Sequence, residues 1–183
     1  ALVESIRQYG VLNPIIVRER RQYGDNYEIV SGHRRYEACK RLGKFDIPVI
    51  VRDLTDEEAI LTMVDSNLHR ERLLPSEKAF AYKMKLDALK RQGKRTDLTS
   101  VQVAPKLSTE IIAEQENTSK DTIKRYIRLT KLIKPLLDMV DEGKIALTPA
   151  EKLSYLTEEE QTELVKQISE LEATPSLSQA VKL

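Results

Sequence analysis

The most informative pattern in the second half of the chain is IIAEQENTSKDTIKRYI, residues 111–127. Ala113 is small enough to sit where two helices cross closely, and Asn117 falls at a turn position that usually needs positive φ. Ser119 is a good N-cap for a second helix. Apolar residues with helical spacing would pin that helix to the first: Ile123, Tyr126 and Ile127. The pattern predicts a helix-turn-helix.

The outward face of this second helix has the character of a DNA-reading surface. Short hydrogen-bonding groups near the start of a recognition helix reach base edges, and cations further along reach phosphates. The residues predicted to bind DNA are Ser119, Lys120, Asp121, Thr122, Lys124, Arg125 and Arg128. The alternative, from the pattern alone, is an ordinary αα-hairpin with solvated lysines.

The distribution of charge favours the DNA-binding interpretation. The 183 residues carry 30 Lys+Arg and 29 Asp+Glu, a net charge of only +1. The charge is distributed unevenly along the chain. Residues 1–54 have an excess of three positive charges, and residues 55–74 have an excess of three negative charges. Residues 75–135 have an excess of seven positive charges, and residues 136–183 have an excess of six negative charges. Cations clustered around a helix-turn-helix strengthen DNA binding, because neutralising phosphates releases counterions. The acidic tail predicts either a solvated helix surface or a surface for a partner or for self-association.

Composition excludes several other classes. No apolar run approaches the ~18 residues of a membrane span, and no segment has the pattern of a secretion signal, so no membrane partner is expected. One cysteine and two histidines are too few for an internal disulfide or a Cys/His zinc site, which favours a cytoplasmic setting. The chain has no Trp and only two Phe, which argues against a single-strand binder that stacks bases on aromatic rings. Because the chain opens within a predicted helix, it is expected to be a piece of a longer protein.

The first third of the chain mixes helices and strands. Strands are predicted at 15–17, 27–30 and 48–51, with a helix at 34–42 that ends at Gly43. Thr55 and Glu58 form a capping box that opens a helix to about residue 66, and Pro75 starts a long helix to about residue 92. Residues 93–96 are predicted to be a basic, flexible link. The predicted fold class is α+β: a small α/β domain over 1–74, an all-α helix-turn-helix domain over 75–145, and acidic helices over 146–183.

Two short segments of the α/β region suit a phosphate and its metal. Gly32 lies where a strand meets a helix and is followed by two arginines, a junction that presents free backbone N–H groups and cations to phosphate oxygens. At the end of a later helix, Asp65 or Asn67 would offer oxygens to Mg²⁺ and Arg70 would reach phosphate. The alternatives are a surface turn with solvated arginines and a fraying helix end.

Taken in order, these segments resemble the ParB family of partition proteins. The resemblance is carried by GVLNPI (10–15), GHRR (32–35), NLHR (67–70), LPSEKA (74–79) and the helix-turn-helix. It implies a ParB/sulfiredoxin-like fold that binds CTP with Mg²⁺, and a helix-turn-helix that recognises a palindromic centromere site. The nucleotide-binding residues it implies are Asn13, Pro14, Gly32, His33, Arg34, Arg35, Asn67 and Arg70.

Departures from the family pattern concentrate on the metal chemistry. His33 replaces the glutamate of the first family segment, Ser66 replaces the metal-associated glutamate of the second, and His69 replaces its glutamine. Fewer carboxylates weaken the case for Mg²⁺, which prefers anionic oxygen ligands. The remaining candidate metal ligands are Asp65 and Asn67, no catalytic residue is assigned, and the chain is expected to be at most a weak CTPase.

The resemblance therefore predicts a DNA-binding protein that acts in plasmid, chromosome or mobile-element partition. It implies a homodimer that CTP closes into a clamp on double-stranded DNA, with a ParA-type ATPase as a partner and with the nucleoid or a plasmid as the location. The alternatives are a nucleotide-dependent small-molecule kinase with the same N-terminal fold, and a ParB-like transcriptional regulator with no partition role.

Overall fold

The computed structural model describes residues 1–20, 26–69, 73–96 and 105–171. The chain divides into two compact units, residues 1–67 and 68–183. The described residues form one small three-stranded sheet and nine helices, which confirms the predicted α+β class. The finer division at residues 74 and 145 stays a prediction.

The first unit is built on a three-stranded sheet. Its elements are α1 (Leu2–Tyr9), β1 (Ile15–Glu19), β2 (Tyr27–Ser31), α2 (His33–Arg41), β3 (Val49–Val51) and α3 (Asp56–Leu68), the last of which ends at the boundary between the units. The strand order is β2-β1-β3. β1 pairs antiparallel with β2, with Val17 opposite Ile29, and parallel with β3, with Ile16 opposite Ile50. All three predicted strands are confirmed.

The core of the first unit lies between α1 and α2. Ile6, Ala38 and Cys39 are buried together, and Val3 and Leu42 pack around them. Tyr9 lies in the last turn of α1, and its side chain is 63% exposed.

Polar side chains join the sheet to the start of α3. Arg18 on β1 is buried, and its guanidinium lies 2.6 Å from Glu28 of β2 and 2.6 Å from Asp56 of α3. Arg18 Nη1 also donates to the Leu54 carbonyl at 3.2 Å. The predicted capping box is confirmed, since Thr55 N donates to Glu58 at 2.8 Å and Glu58 N donates to Thr55 Oγ1 at 3.2 Å.

The second unit is entirely helical in its described part. Its elements are α4 (Pro75–Thr96), α5 (Pro105–Gln115), α6 (Lys120–Leu129), α7 (Lys134–Asp141), α8 (Leu147–Leu153) and α9 (Glu158–Leu171). The expected flexible link at 93–96 was wrong, because these residues continue α4. Helix formers on both sides of Gly93 outweigh the roughly 1 kcal/mol that one internal glycine costs.

Two apolar clusters hold these helices together. The larger joins α6 to α9 around Leu129, Leu136 and Leu153, with α4 contributing Ala79. The smaller packs α4 against α5 and α6 around Tyr82, Ile112 and Ile123. No helix in the described ranges is both long enough and apolar enough to cross a membrane.

Candidate nucleic-acid interface

The predicted helix-turn-helix is formed by α5 and α6. Asn117 lies in the turn with φ +49°, as predicted. The end of α5 is closed by hydrogen bonds from the backbone N–H of Glu116 to Ile112 O at 3.0 Å and of Thr118 to Ala113 O at 2.9 Å. The first is an ordinary helical bond, and the second is a six-to-one bond, which satisfies a free carbonyl at the helix end while the chain reverses.

Ser119 caps α6, as the sequence predicted. Its Oγ accepts a hydrogen bond from the backbone N–H of Thr122 at 3.1 Å, and the two hydroxyls lie 2.9 Å apart. The first turn of a helix carries unpaired N–H groups and a partial positive charge. This end of α6 is therefore suited to approach an anion such as a DNA phosphate.

One face of α6 is buried and the opposite face is exposed. Ile123 is fully buried, and Tyr126 packs edge-on against Tyr82 of α4 with ring centroids 5.7 Å apart. The residues that face solvent are Ser119, Lys120, Asp121, Lys124 and Arg125, and Thr122 is half-buried. The structure thus brings six of the seven predicted DNA-binding residues together at the beginning of one helix.

The two lysines on this face have only weak partners. Lys120 lies 3.4 Å from Glu110, and Lys124 lies 3.8 Å from Asp121. All four side chains are largely exposed, and such surface pairs contribute about 0–1 kcal/mol each. A phosphate or a base edge would compete successfully for these cations.

A cationic groove runs beside α6. Its volume is about 420 Å³, and its lining includes Leu86 and Ile127 together with five cations: Lys83, Lys90, Lys124, Arg128 and Lys131. These side chains belong to the segment for which the sequence predicted a positive surface. The groove therefore extends the positive field of the helix-turn-helix along its flank.

Arg128, the seventh predicted residue, is engaged within the protein. Its Nε donates to Ser154 Oγ at 3.0 Å, its Nη2 donates to the Ser154 carbonyl at 2.9 Å, and its guanidinium stacks 3.9 Å from the Tyr155 ring centroid. These contacts tie α6 to the end of α8 and favour a structural role. A DNA contact from Arg128 stays a prediction.

Sequence reasoning missed an ion pair behind the turn. Lys85 Nζ of α4 lies 3.1 Å from Glu116 Oε1, and the two side chains are 3% and 15% exposed. The signal was present, since Lys85 follows Tyr82 by three residues and so shares the buried stripe of α4.

The predicted phosphate loop is partly assembled in the first unit. Gly32 precedes α2 with φ +109°, and a Cβ there would lie 3.1 Å from Arg35 Nη2. Arg35 Nη1 donates to the carbonyls of Asn13 and Pro14, at 2.7 Å for Pro14. The structure therefore brings four of the predicted residues together: Asn13, Pro14, Gly32 and Arg35. The Arg35 side chain ties α2 to the loop that contains Asn13 and Pro14.

The remaining nucleotide and metal candidates are spread over two helices. His33 and Arg34 are exposed in the first turn of α2. Asp65 and Asn67 are half-buried near the end of α3, and Arg70 lies outside the described residues. Ser66 Oγ donates to the Met63 carbonyl at 2.8 Å. One carboxylate and one amide suit Mg²⁺ only if nucleotide phosphates complete the coordination shell.

Comparison with known proteins follows the same two-part division. Residues 1–68 match the family model described as the ParB N-terminal domain, and residues 71–176 match the one described as the ParB HTH domain. Together the two models cover nearly the whole chain.

Curated relatives include proteins with two different names. A probable chromosome 1-partitioning protein ParB of Deinococcus radiodurans is 38% identical over 149 residues, which are 81% of this chain and 45% of that protein. A nucleoid occlusion protein of Listeria innocua is 35% identical over 170 residues, 92% of this chain and 54% of that protein. The chain thus spans about half the length of these relatives.

A solved structure shares the fold. The C-terminally truncated chromosome-partitioning protein ParB of Caulobacter crescentus, in complex with the centromeric parS site, superposes with a TM-score of 0.56 at 23% identity. The match covers 98% of this chain and 84% of that one.

Proposed function

The chain belongs to the ParB family, and from that membership we propose that it binds a specific site on double-stranded DNA through its helix-turn-helix. The observation that carries the proposal is the capped, exposed beginning of α6, with cations on either side of it. The match of residues 71–176 to the ParB HTH domain favours DNA binding over the small-molecule kinase alternative.

In this proposal the start of α6 enters the major groove. Lys120 and Arg125 are suited to the acceptors of guanine, and Asp121 is suited to the amino group of cytosine. The Ser119 and Thr122 hydroxyls already cap the helix, so we assign them to orientation and to phosphate contacts. The lysines of the flanking groove supply affinity that does not depend on sequence.

We propose a homodimer on a palindromic site. A single α6 presents about three turns of helix and reads only a few base pairs, so two copies related by a twofold axis would provide a longer site. The biological role that fits is partition of a chromosome, plasmid or mobile element, with a ParA-type ATPase as partner and association with the nucleoid or plasmid.

A second role is supported by relatives named nucleoid occlusion proteins. The one from Listeria innocua aligns over 92% of this chain. Nucleoid occlusion, partition and transcriptional regulation would all use the same α6. The positions of the bound sites on the chromosome or plasmid would separate these roles.

For the first unit we propose CTP binding with Mg²⁺ at the start of α2. Support comes from the Gly32 turn, from the exposed His33 and Arg34, and from the loop held by Arg35. In this proposal the unpaired N–H groups at the start of α2 and the Arg34 cation bind phosphate oxygens. Asp65 and Asn67 would contribute to Mg²⁺, hydrolysis would be weak at most, and nucleotide would close the dimer as a clamp.

The DNA proposal is tested by selection from a random duplex library, followed by fluorescence anisotropy with the selected duplex and a scrambled one at several salt concentrations. We expect a preference for the selected duplex, and a loss of affinity when Lys124→Ala and Arg125→Ala are combined. Lys166→Ala, which removes an exposed cation from α9, is the matched control. Equal affinity for the two duplexes at every salt concentration would exclude a specific site.

The nucleotide proposal is tested separately by calorimetry with CTP, ATP and GTP, each with Mg²⁺. We expect CTP alone to bind, and Arg34→Ala to weaken its binding. Arg7→Ala, an exposed cation of α1, is the control. If no nucleotide binds in the presence or absence of the selected duplex, the nucleotide proposal is wrong and the DNA proposal stands.

A further inference from the structure

A buried ion pair connects α4 to the turn of the helix-turn-helix. Lys85 Nζ donates to Glu116 Oε1 at 3.1 Å, and only 3% of the lysine side chain and 15% of the glutamate side chain are exposed. Burying a lysine and a glutamate removes both from water at a considerable cost, which good geometry and further hydrogen bonds must offset. A role as surface charge therefore does not explain why this pair is buried.

The position of Glu116 connects the ion pair to the turn of the helix-turn-helix. Glu116 directly precedes Asn117, the residue with φ +49°, and its own backbone N–H closes α5 onto Ile112 O. Ser119, the cap of α6, follows three residues later. The contact with Lys85 therefore holds against α4 the part of the turn from which the chain continues into α6.

Helix α4 holds both sides of this turn. Tyr82, one turn before Lys85 on the same face, packs edge-on against Tyr126 of α6. Lys85 thus contacts the turn that leads into α6, while Tyr82 contacts the body of α6. A single helix, α4, therefore positions both the turn and α6.

We propose that Lys85 and Glu116 are a positioning pair that sets the direction in which the start of α6 faces DNA. Neither residue is proposed to touch DNA. The inference rests on the proposed function, because it concerns how that same interface is oriented. A charge-assisted hydrogen bond fixes distance and angle, whereas an apolar contact is non-directional.

The experiment compares four variants with the wild-type chain, using the selected and scrambled duplexes. Lys85→Met and Glu116→Gln each remove one charge, and the double change Lys85→Met with Glu116→Leu replaces the pair by apolar groups of similar size. Lys152→Met is the matched control, because it removes a half-buried lysine that pairs with Glu151 at 3.2 Å on α8, outside the helix-turn-helix and the cationic groove. Circular dichroism identifies a temperature at which every variant is folded, and all affinities are measured there.

We expect each single change to weaken binding to the selected duplex by about tenfold, the loss typical of one misplaced base contact. The salt slope should stay at its wild-type value, because a buried lysine neutralises no phosphate. The double variant should recover its melting temperature without recovering its preference for the selected duplex. Lys152→Met should keep that preference.

Two results would overturn the proposal: wild-type preference in both folded single variants, or wild-type preference in the double variant. If a single variant does not fold, the double variant decides, because apolar replacement of a buried pair usually preserves stability. Failure of the proposed function looks different, since the wild-type chain itself would then bind both duplexes equally.

Discussion

Asn117 carries a backbone conformation that most residues adopt only at a cost. In the part of the chain that the structure describes, it is the one non-glycine residue with positive φ, at +49°. We expect Asn117→Ala to lower the free energy of unfolding by about 1–2 kcal/mol, because a Cβ without a local hydrogen-bonding group is strained there. Urea denaturation measures this difference.

Asn117→Gly serves as the control for that prediction. Glycine accepts positive φ without strain, and we expect its free energy of unfolding to differ little from that of wild type. If alanine were tolerated as well as glycine, the turn would have to adopt a different conformation in solution.

The pKa of Tyr82 is raised by its surroundings. Burial, then the charge of Glu116 and the neighbouring Tyr126, raise the pKa of Tyr82 to about 12. A tyrosine in the unfolded chain ionises at about pH 10. The stability that depends on a neutral Tyr82 is therefore intact below pH 10 and is lost as the pH rises toward 12.

Spectrophotometric titration tests this shift. We expect a late tyrosine ionisation step near pH 12, and we expect Tyr82→Phe to abolish that late step. Tyr9→Phe, which alters an exposed ring, should leave it in place. A late step that persists in Tyr82→Phe would assign the raised pKa to another residue.

At the scale of elements, the Arg18 network makes the joint between β1, β2 and α3 sensitive to acid. Burial acts to raise the pKa of Glu28, but the hydrogen bonds and charges of Arg18 and Arg20 outweigh it and hold the pKa below its ordinary value of 4.5. The stability from these contacts is therefore present above about pH 4.5 and is lost as the pH falls through the folded-state pKa.

Urea denaturation at a series of pH values tests this acid sensitivity. We expect the free energy of unfolding of wild type to fall more steeply below about pH 4.5 than that of Glu28→Gln, which cannot titrate. Glu4→Gln, which alters an exposed i,i+3 pair on α1, should follow wild type. Parallel profiles for wild type and Glu28→Gln would show that Glu28 contributes nothing to acid sensitivity.

The connection between α6 and α8 depends on Arg128. We expect Arg128→Ala to destabilise the second unit by about 1.5–3 kcal/mol, because it removes two hydrogen bonds from a charged donor to Ser154. At a temperature where the variant is folded, the salt slope of DNA binding should be unchanged, whereas Lys124→Ala should reduce it by about 0.9. A comparable reduction in Arg128→Ala would instead place Arg128 on a phosphate.

The whole molecule consists of two units with separate cores. The core of the first centres on Ile6, Ala38 and Cys39, and the cores of the second centre on Ile112 and Leu136. We expect calorimetry of the full chain to resolve two unfolding transitions, with Arg18→Ala lowering one and Arg128→Ala lowering the other. A single transition that both changes lower equally would contradict this.

Much of the local structure was predictable because its causes lie within a few residues. The capping box joins Thr55 to Glu58 and the α6 cap joins Ser119 to Thr122, each pair three residues apart, and the turn depends on the backbone of Asn117 itself. Strand positions followed from β-branched runs between turn residues. The extent of α4 past residue 92 was missed, because Gly93 and the basic residues after it favour a link when they are considered alone.

Periodicity and capping were therefore enough to predict the α+β class, the place of the helix-turn-helix and the polar face of α6. Which cations have partners within the protein depends instead on how the elements pack. Lys85, Arg128 and Arg35 all count as cations in the sequence, yet they bind Glu116, Ser154 and the carbonyls of Asn13 and Pro14. Their partners lie more than 20 residues away along the chain, and the cost of burying a charge depends on what the packed helices place beside it.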